Sequence, residues 1–132
     1  MLGREYFLDG IVSRGERVGR KIGYPTINLA PENDLHPADG VYVTRIEISS
    51  FGRRFDSVTN IGRRPTVYQD FSTTIETYVF DFSSDVYGAR VRLFFYERLR
   101  EERTFPSVTE LTEQIGRDIE SAQAYFARSA AR

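Results

Sequence analysis

The chain has 132 residues, enough for one domain with a hydrophobic core, and 40% of them are hydrophobic. Eighteen basic residues face nineteen acidic ones, a formal net charge of −1, which argues against a protein that binds nucleic acid by neutralising phosphates. The absence of cysteine excludes disulfides and cysteine-based metal or redox chemistry, and no apolar run approaches the ~18–20 residues that span a bilayer.

The N-terminus, "MLGREYFLDG", lacks the apolar core of a signal peptide, so a cytoplasmic protein is expected, with no membrane partner. "YFLDGIVSRG" (Tyr6 to Gly15) reads as a first strand interrupted by Gly10. A glycine-rich basic turn follows and leads into "YPTINL". Pro25 fixes its own φ and pushes Tyr24 towards extended geometry. Residues two apart in a strand share a face, ~6–7 Å apart. Thr26 and Asn28 therefore point one way, and Ile27 and Leu29 can enter a core.

Thr26 and Asn28 offer neutral oxygens, which a hard cation such as Mg²⁺ accepts when phosphate oxygens supply the negative charge. Gly19 and Gly23 allow backbone N–H groups to converge on an anion, and Arg20 and Lys21 add positive charge. The glycine spacing matches neither the P-loop nor the G-x-G-x-x-G pattern. On residues alone, a nucleotide site and a plain turn before an edge strand both stand.

"GVYVTRIEI" (Gly40 to Ile48) and "RRFDSVTNIG" form a hairpin across "SSFG". "TTIETYVFDF" (Thr73 to Phe82) and "ARVRLFFYERLR" (Ala89 to Arg100) form another, joined by "SSDVYG". Glu76 shares a strand face with Thr74, Tyr78 and Phe80, which suits either a solvent-facing glutamate or one placed for chemistry. "SVTE" (Ser107 to Glu110) is a capping box. Leu111, Ile115, Ile119, Ala122 and Phe126 recur at helical spacing, so a helix is expected over about 107–128 with an apolar stripe turned to a sheet. Gly116 inside it suggests close packing. About six antiparallel strands and one terminal helix, in a single domain over 1–132, predict an all-β fold: a closed or nearly closed barrel, since closure removes exposed sheet edges.

The motifs taken together resemble the riboflavin kinase family. "G-x-x-x-G-R-K-I-G-Y-P-T-I-N-L" is similar to its Pro-Thr-Ala-Asn signature, with Ile27 in place of Ala. "DGVYVTRI", "NIGRRPT", "IETYVFDF", "DVYG", "LREERTF" and "LTEQIGRDI" follow in the family's order, over almost the whole chain. The resemblance implies a six-stranded antiparallel Greek-key barrel with a C-terminal helix. It implies an ATP-dependent phosphotransferase that moves the γ-phosphoryl group to the 5′-hydroxyl of riboflavin, giving FMN and ADP, with Mg²⁺. Residues 1–5 resemble the segment that joins such a domain to an N-terminal FMN adenylyltransferase domain, so that an excised module with a linker remnant and a stand-alone enzyme both stand.

Residue by residue, the resemblance makes Glu76 the catalytic base and Thr26 and Asn28 the metal and phosphate residues. Gly15, Arg20, Val79, Asp81 and Tyr87 fall with the nucleotide. Arg100, Arg103 and Phe105 fall against the flavin, and Pro106 stands where an aspartate is common. His36 is expected in a loop, Asn60 in a loop near the site with no chemical role assigned, and Arg63 and Arg64 in solvent. Glycines and prolines in 13–24 and 60–74 mark loops able to close over substrates. A flavin- or nucleotide-binding barrel without turnover, and an OB-like nucleic-acid barrel, are the alternatives.

Overall fold

The computed structural model describes residues 6–13, 24–32, 36–65 and 71–130. They form β1 (Tyr6–Ser13), β2 (Ile27–Pro31), β3 (Gly40–Ile48), β4 (Arg53–Pro65), β5 (Phe71–Val79), β6 (Arg90–Arg100) and the helix α1 (Val108–Ala130). The strands close in the order β1-β2-β5-β4-β3-β6, and every neighbouring pair is antiparallel. β6 returns beside β3 after the β3-β4-β5 meander, which is a Greek-key arrangement.

Strand alternation builds two cores. Leu8, Leu29, Ile46, Ile61, Ile75 and Leu93 fill the barrel interior. Among them lies a chain of buried hydroxyls. Thr44 Oγ1 is 2.7 Å from Ser57 Oγ and 2.9 Å from Thr59 Oγ1, which is 2.9 Å from Thr77 Oγ1. These groups satisfy one another, so their burial carries no unpaired-donor cost. The second core lies outside the barrel, where Ala122 and Phe126 of α1 pack on Val41, Val43 and Val58.

Four expectations need correction. β1 runs unbroken through Gly10. A Cβ there would fall 2.7 Å from the carbonyl oxygen of Ala30, so glycine permits a close strand approach instead of ending the strand. β5 stops at Val79, not Phe82. Asp81 takes a left-handed backbone, φ 53°, which turns the chain, and the Phe80 N–H donates to the Asp56 carbonyl at 2.9 Å. Asn60 sits inside β4, not in a loop, and 60–65 and 71–74 are likewise strand. Gly116 is not tightly packed. A Cβ there would meet only the Tyr24 hydroxyl, at an ordinary 3.6 Å.

That last observation has a measurable outcome. Gly116→Ala should raise stability by roughly 1 kcal/mol through helix propensity alone, read as a higher denaturant midpoint at unchanged slope. A loss of stability would mean that the contact with Tyr24 is tighter than it stands.

His36 does lie in a connection, within 2.8 Å of the Pro37 carbonyl through Nδ1 and 3.3 Å of Thr73 Oγ1 through Nε2. Arg63 is exposed yet ion-paired, 3.2 Å from Asp39. Residues 1–5, 14–23 and 66–70, and with them Gly15 and Arg20, lie outside the described residues.

Candidate active site

The site begins with register. Asn28 of β2 stands opposite Glu76 of β5, Glu76 opposite Asn60 of β4, Asn60 opposite Val41 of β3, and Val41 opposite Arg100 of β6. Directly opposed residues share a sheet face, so these five form one row across the outside of the barrel. Their chain neighbours Leu29, Ile75 and Ile61 point inward and are buried. Thr26 precedes Asn28 by two residues and shares its side.

α1 roofs part of this wall. Between wall and roof lies a cavity of about 770 Å³, open to solvent, with Thr26, Asn60, Glu76 and Arg100 among its wall residues. The roof is apolar. Leu111, Ile115 and Ile119 line the cavity instead of packing on the sheet, so only the C-terminal part of the helix stripe reaches the core.

A polar relay closes one end. The Arg100 guanidinium grips Asp118 with Nε 2.9 Å from Oδ1 and Nη2 2.8 Å from Oδ2. Gln114 Nε2 donates to Asp118 Oδ1 at 2.9 Å, and Gln114 Oε1 accepts from Arg103 Nη2 at 2.7 Å. Asp118 is nearly buried, its side chain 7% exposed and that of Arg100 18%. The Arg103 guanidinium lies 4.9 Å from the Phe105 ring centroid and that of Arg100 5.7 Å. Such stacking orients the ring, and Phe105 also lines the cavity. The two arginines expected to touch a flavin thus hold the wall to the roof.

The structure brings Thr26, Glu76, Arg100, Arg103 and Phe105 around one cavity, with Asn28 beside Glu76 in the row. Of the nucleotide candidates, it does not gather Val79, Asp81 and Tyr87 there. The Val79 side chain is buried in the barrel interior. Asp81 lines a neighbouring, more polar groove with Arg53 and Arg54, on the other side of Tyr78. Tyr87 is exposed on the β5–β6 connection, its N–H 3.1 Å from Asp85 Oδ1.

Asn60 lines the cavity, near the site as expected though from a strand; Tyr24, Tyr78, Gln114 and Asp118 also belong to the site, and sequence reasoning passed over them. The helix pair carried a signal. Gln114 and Asp118 stand four apart in line with Ala122, and two polar residues on a buried stripe require partners. Among the described residues, no cluster of three or more His, Cys, Asp or Glu side chains could hold a metal. Thr26 and Asn28 nevertheless suit a hard cation whose remaining ligands are phosphate oxygens.

A family model for riboflavin kinase matches residues 2–126. The chain belongs to the riboflavin kinase family. A Bacillus subtilis bifunctional riboflavin kinase/FMN adenylyltransferase is 42% identical over 129 residues, a match that covers 96% of this chain and 40% of that protein. The chain therefore spans about 40% of the length of such a relative. The crystal structure of a Streptococcus pneumoniae protein described as a macrolide-efflux protein superposes with a TM-score of 0.84 at 34% identity, covering 92% of this chain and 40% of that one. A Trypanosoma brucei riboflavin kinase superposes with a TM-score of 0.65 at 21% identity, covering 96% of this chain and 83% of that one, which bears on the fold alone. The riboflavin kinase barrel expected from the motifs is the fold observed, six antiparallel strands with a C-terminal helix.

Proposed function

We propose that this riboflavin kinase domain transfers the γ-phosphoryl group of ATP to the 5′-hydroxyl of riboflavin, releasing FMN and ADP. One observation carries the reading. Glu76 stands in register between Asn28 and Asn60, on the polar wall of a cavity whose roof is apolar and whose far end carries Phe105 beside the polar relay. A flat ring fits against Phe105, Leu111 and Ile115, and its polyol tail then runs along the wall towards Glu76. The terminal hydroxyl oxygen forms the new bond to phosphorus as the bond from the γ-phosphorus to the β–γ bridging oxygen breaks. The hydroxyl proton passes to the Glu76 carboxylate. Such transfer depends on positioning and charge stabilisation, and a carboxylate base adds typically 10²–10⁴-fold.

The triphosphate belongs at the β2 end of the row. Thr26 and Asn28 would hold Mg²⁺ there through neutral oxygens, and the ion would neutralise charge on the phosphates. Gly15 and Arg20 are assigned to the same nucleotide. Asp81 would serve its base from the far side of Tyr78, where Val79 could offer only its backbone, and Tyr87 would serve it from the β5–β6 connection. In a parent chain like the Bacillus subtilis relative, the FMN formed would be the substrate of the adenylyltransferase activity. We place the domain in the cytoplasm, where ATP is available. Among the described residues no helix is long and apolar enough to cross a membrane.

Incubation with riboflavin, ATP and Mg²⁺, followed by chromatographic separation of the flavins, tests the reading. FMN should accumulate in step with ADP. Flavin bound without FMN formation would point to a barrel without turnover, and no binding of either substrate would sink the proposal.

A further inference from the structure

One buried polar atom stands apart. Asn60 Oδ1 is shut off from solvent and is the only such side-chain atom without a hydrogen-bond partner among the described residues. An unpaired buried acceptor is costly, so its persistence asks for a reason. The side chain lines the cavity beside Glu76. Its terminal torsion is soft, so a small rotation presents the oxygen to a ligand.

Position in the row decides what that ligand group is. Neighbouring strands are ~4.8 Å apart, and Asn60 lies one strand from Glu76 on the side towards Arg100 and Phe105. If the terminal hydroxyl meets Glu76 and the ring meets Phe105, the stretch opposite Asn60 is the chain between them. That chain carries secondary hydroxyls, each a donor. We infer that Asn60 is a specificity-determining residue that accepts a hydrogen bond from an inner hydroxyl of the ribityl chain, so that the site selects a polyhydroxylated side chain and not merely an isoalloxazine ring. The inference rests on the riboflavin kinase reading.

The backbone behind Asn60 is fixed. Thr59 and Thr77, the inward neighbours of Asn60 and Glu76, are joined by hydroxyls 2.9 Å apart. β4 and β5 therefore hold the amide and the carboxylate at a set spacing.

The test compares two ligands with one ring. Riboflavin carries the polyol and lumiflavin carries a methyl group in its place. Their affinities are measured by flavin fluorescence for the parent domain, Asn60→Ala and the near-isosteric Asn60→Leu, together with thermal unfolding. Both variants should bind riboflavin about five- to tenfold more weakly, the worth of one net hydrogen bond. Lumiflavin affinity should not change. Asn60→Leu should unfold at the same or a higher temperature, because it removes an unpaired acceptor. Equal losses for both ligands, or no loss for either, overturn this assignment and leave the kinase reading standing. A parent domain that binds lumiflavin but gains nothing from the polyol overturns both.

Discussion

Glu76→Gln should lower the rate of FMN formation by roughly 10²–10⁴-fold while riboflavin and ATP still bind. The glutamine amide matches the carboxylate in shape and still accepts a hydrogen bond, but it cannot take up the hydroxyl proton. The fold should be indifferent to the change. β5 is hydrogen-bonded on both sides, to β2 and to β4, and Glu76 points out of the barrel while Ile75 and Thr77 hold the strand from within. The loss should therefore fall on kcat, with KM for riboflavin and the unfolding temperature nearly constant. Turnover at the parent rate would remove Glu76 from proton transfer and would leave positioning alone to explain the reaction.

Asp118→Ala should be the most damaging substitution outside the reacting groups. It strips Arg100 of a bidentate partner at 2.8 and 2.9 Å, in a place where that side chain is only 18% exposed. Removing one member of a largely buried pair typically costs ~3–5 kcal/mol, because the remaining charge stays desolvated. For a domain of this size that is a fall in unfolding temperature on the order of 10 °C. The damage should spread along the relay. Gln114 loses the acceptor that orients it, and Arg103, which donates to Gln114, loosens its hold beside Phe105. KM for riboflavin should therefore rise more than kcat falls, the reverse of the pattern for Glu76→Gln. Asp118→Asn keeps an oxygen for Arg100 and should lie between. Unfolding at the parent temperature for Asp118→Ala would show that the pair contributes nothing net to the fold.

Much of this architecture could be read before any coordinates. Alternation in "GVYVTRIEI" and "ARVRLFFYERLR" located β3 and β6, and the capping box located the start of α1. Ser107 Oγ does accept from the Glu110 N–H, at 3.2 Å, although the Glu110 carboxylate meets the serine hydroxyl and not the backbone. Alternation also told which side of β2 carries Thr26 and Asn28. It could not supply register, and register makes the site. Nothing local to "TNIG" says that Asn60 will stand beside Glu76, because that neighbourhood exists only once β4 and β5 pair. The end of β5 was missed for a related reason. Phe80 and Phe82 continue an apolar alternation, yet the left-handed backbone of Asp81 breaks it. The helix was legible as an apolar stripe, but not as one divided between core and cavity. That division depends on Asp118 being taken up by Arg100 at the end of β6 and Gln114 by Arg103 in the connection that follows.

The division has an evolutionary corollary. Glu76 and Asn28, which would take the proton and hold the metal, lie on strands of a closed ring, where no single strand slides without breaking its ladders on both sides. The apolar ceiling that would meet the heterocycle, Leu111, Ile115 and Ile119, lies on one helix, joined to that ring by a small packed patch and a four-residue polar strap. Leu111, Ile115 and Ile119 are thus free to drift in size without disturbing the transfer geometry, so an altered tricyclic analogue could be admitted by rebuilding the ceiling while the reaction floor stays as it is.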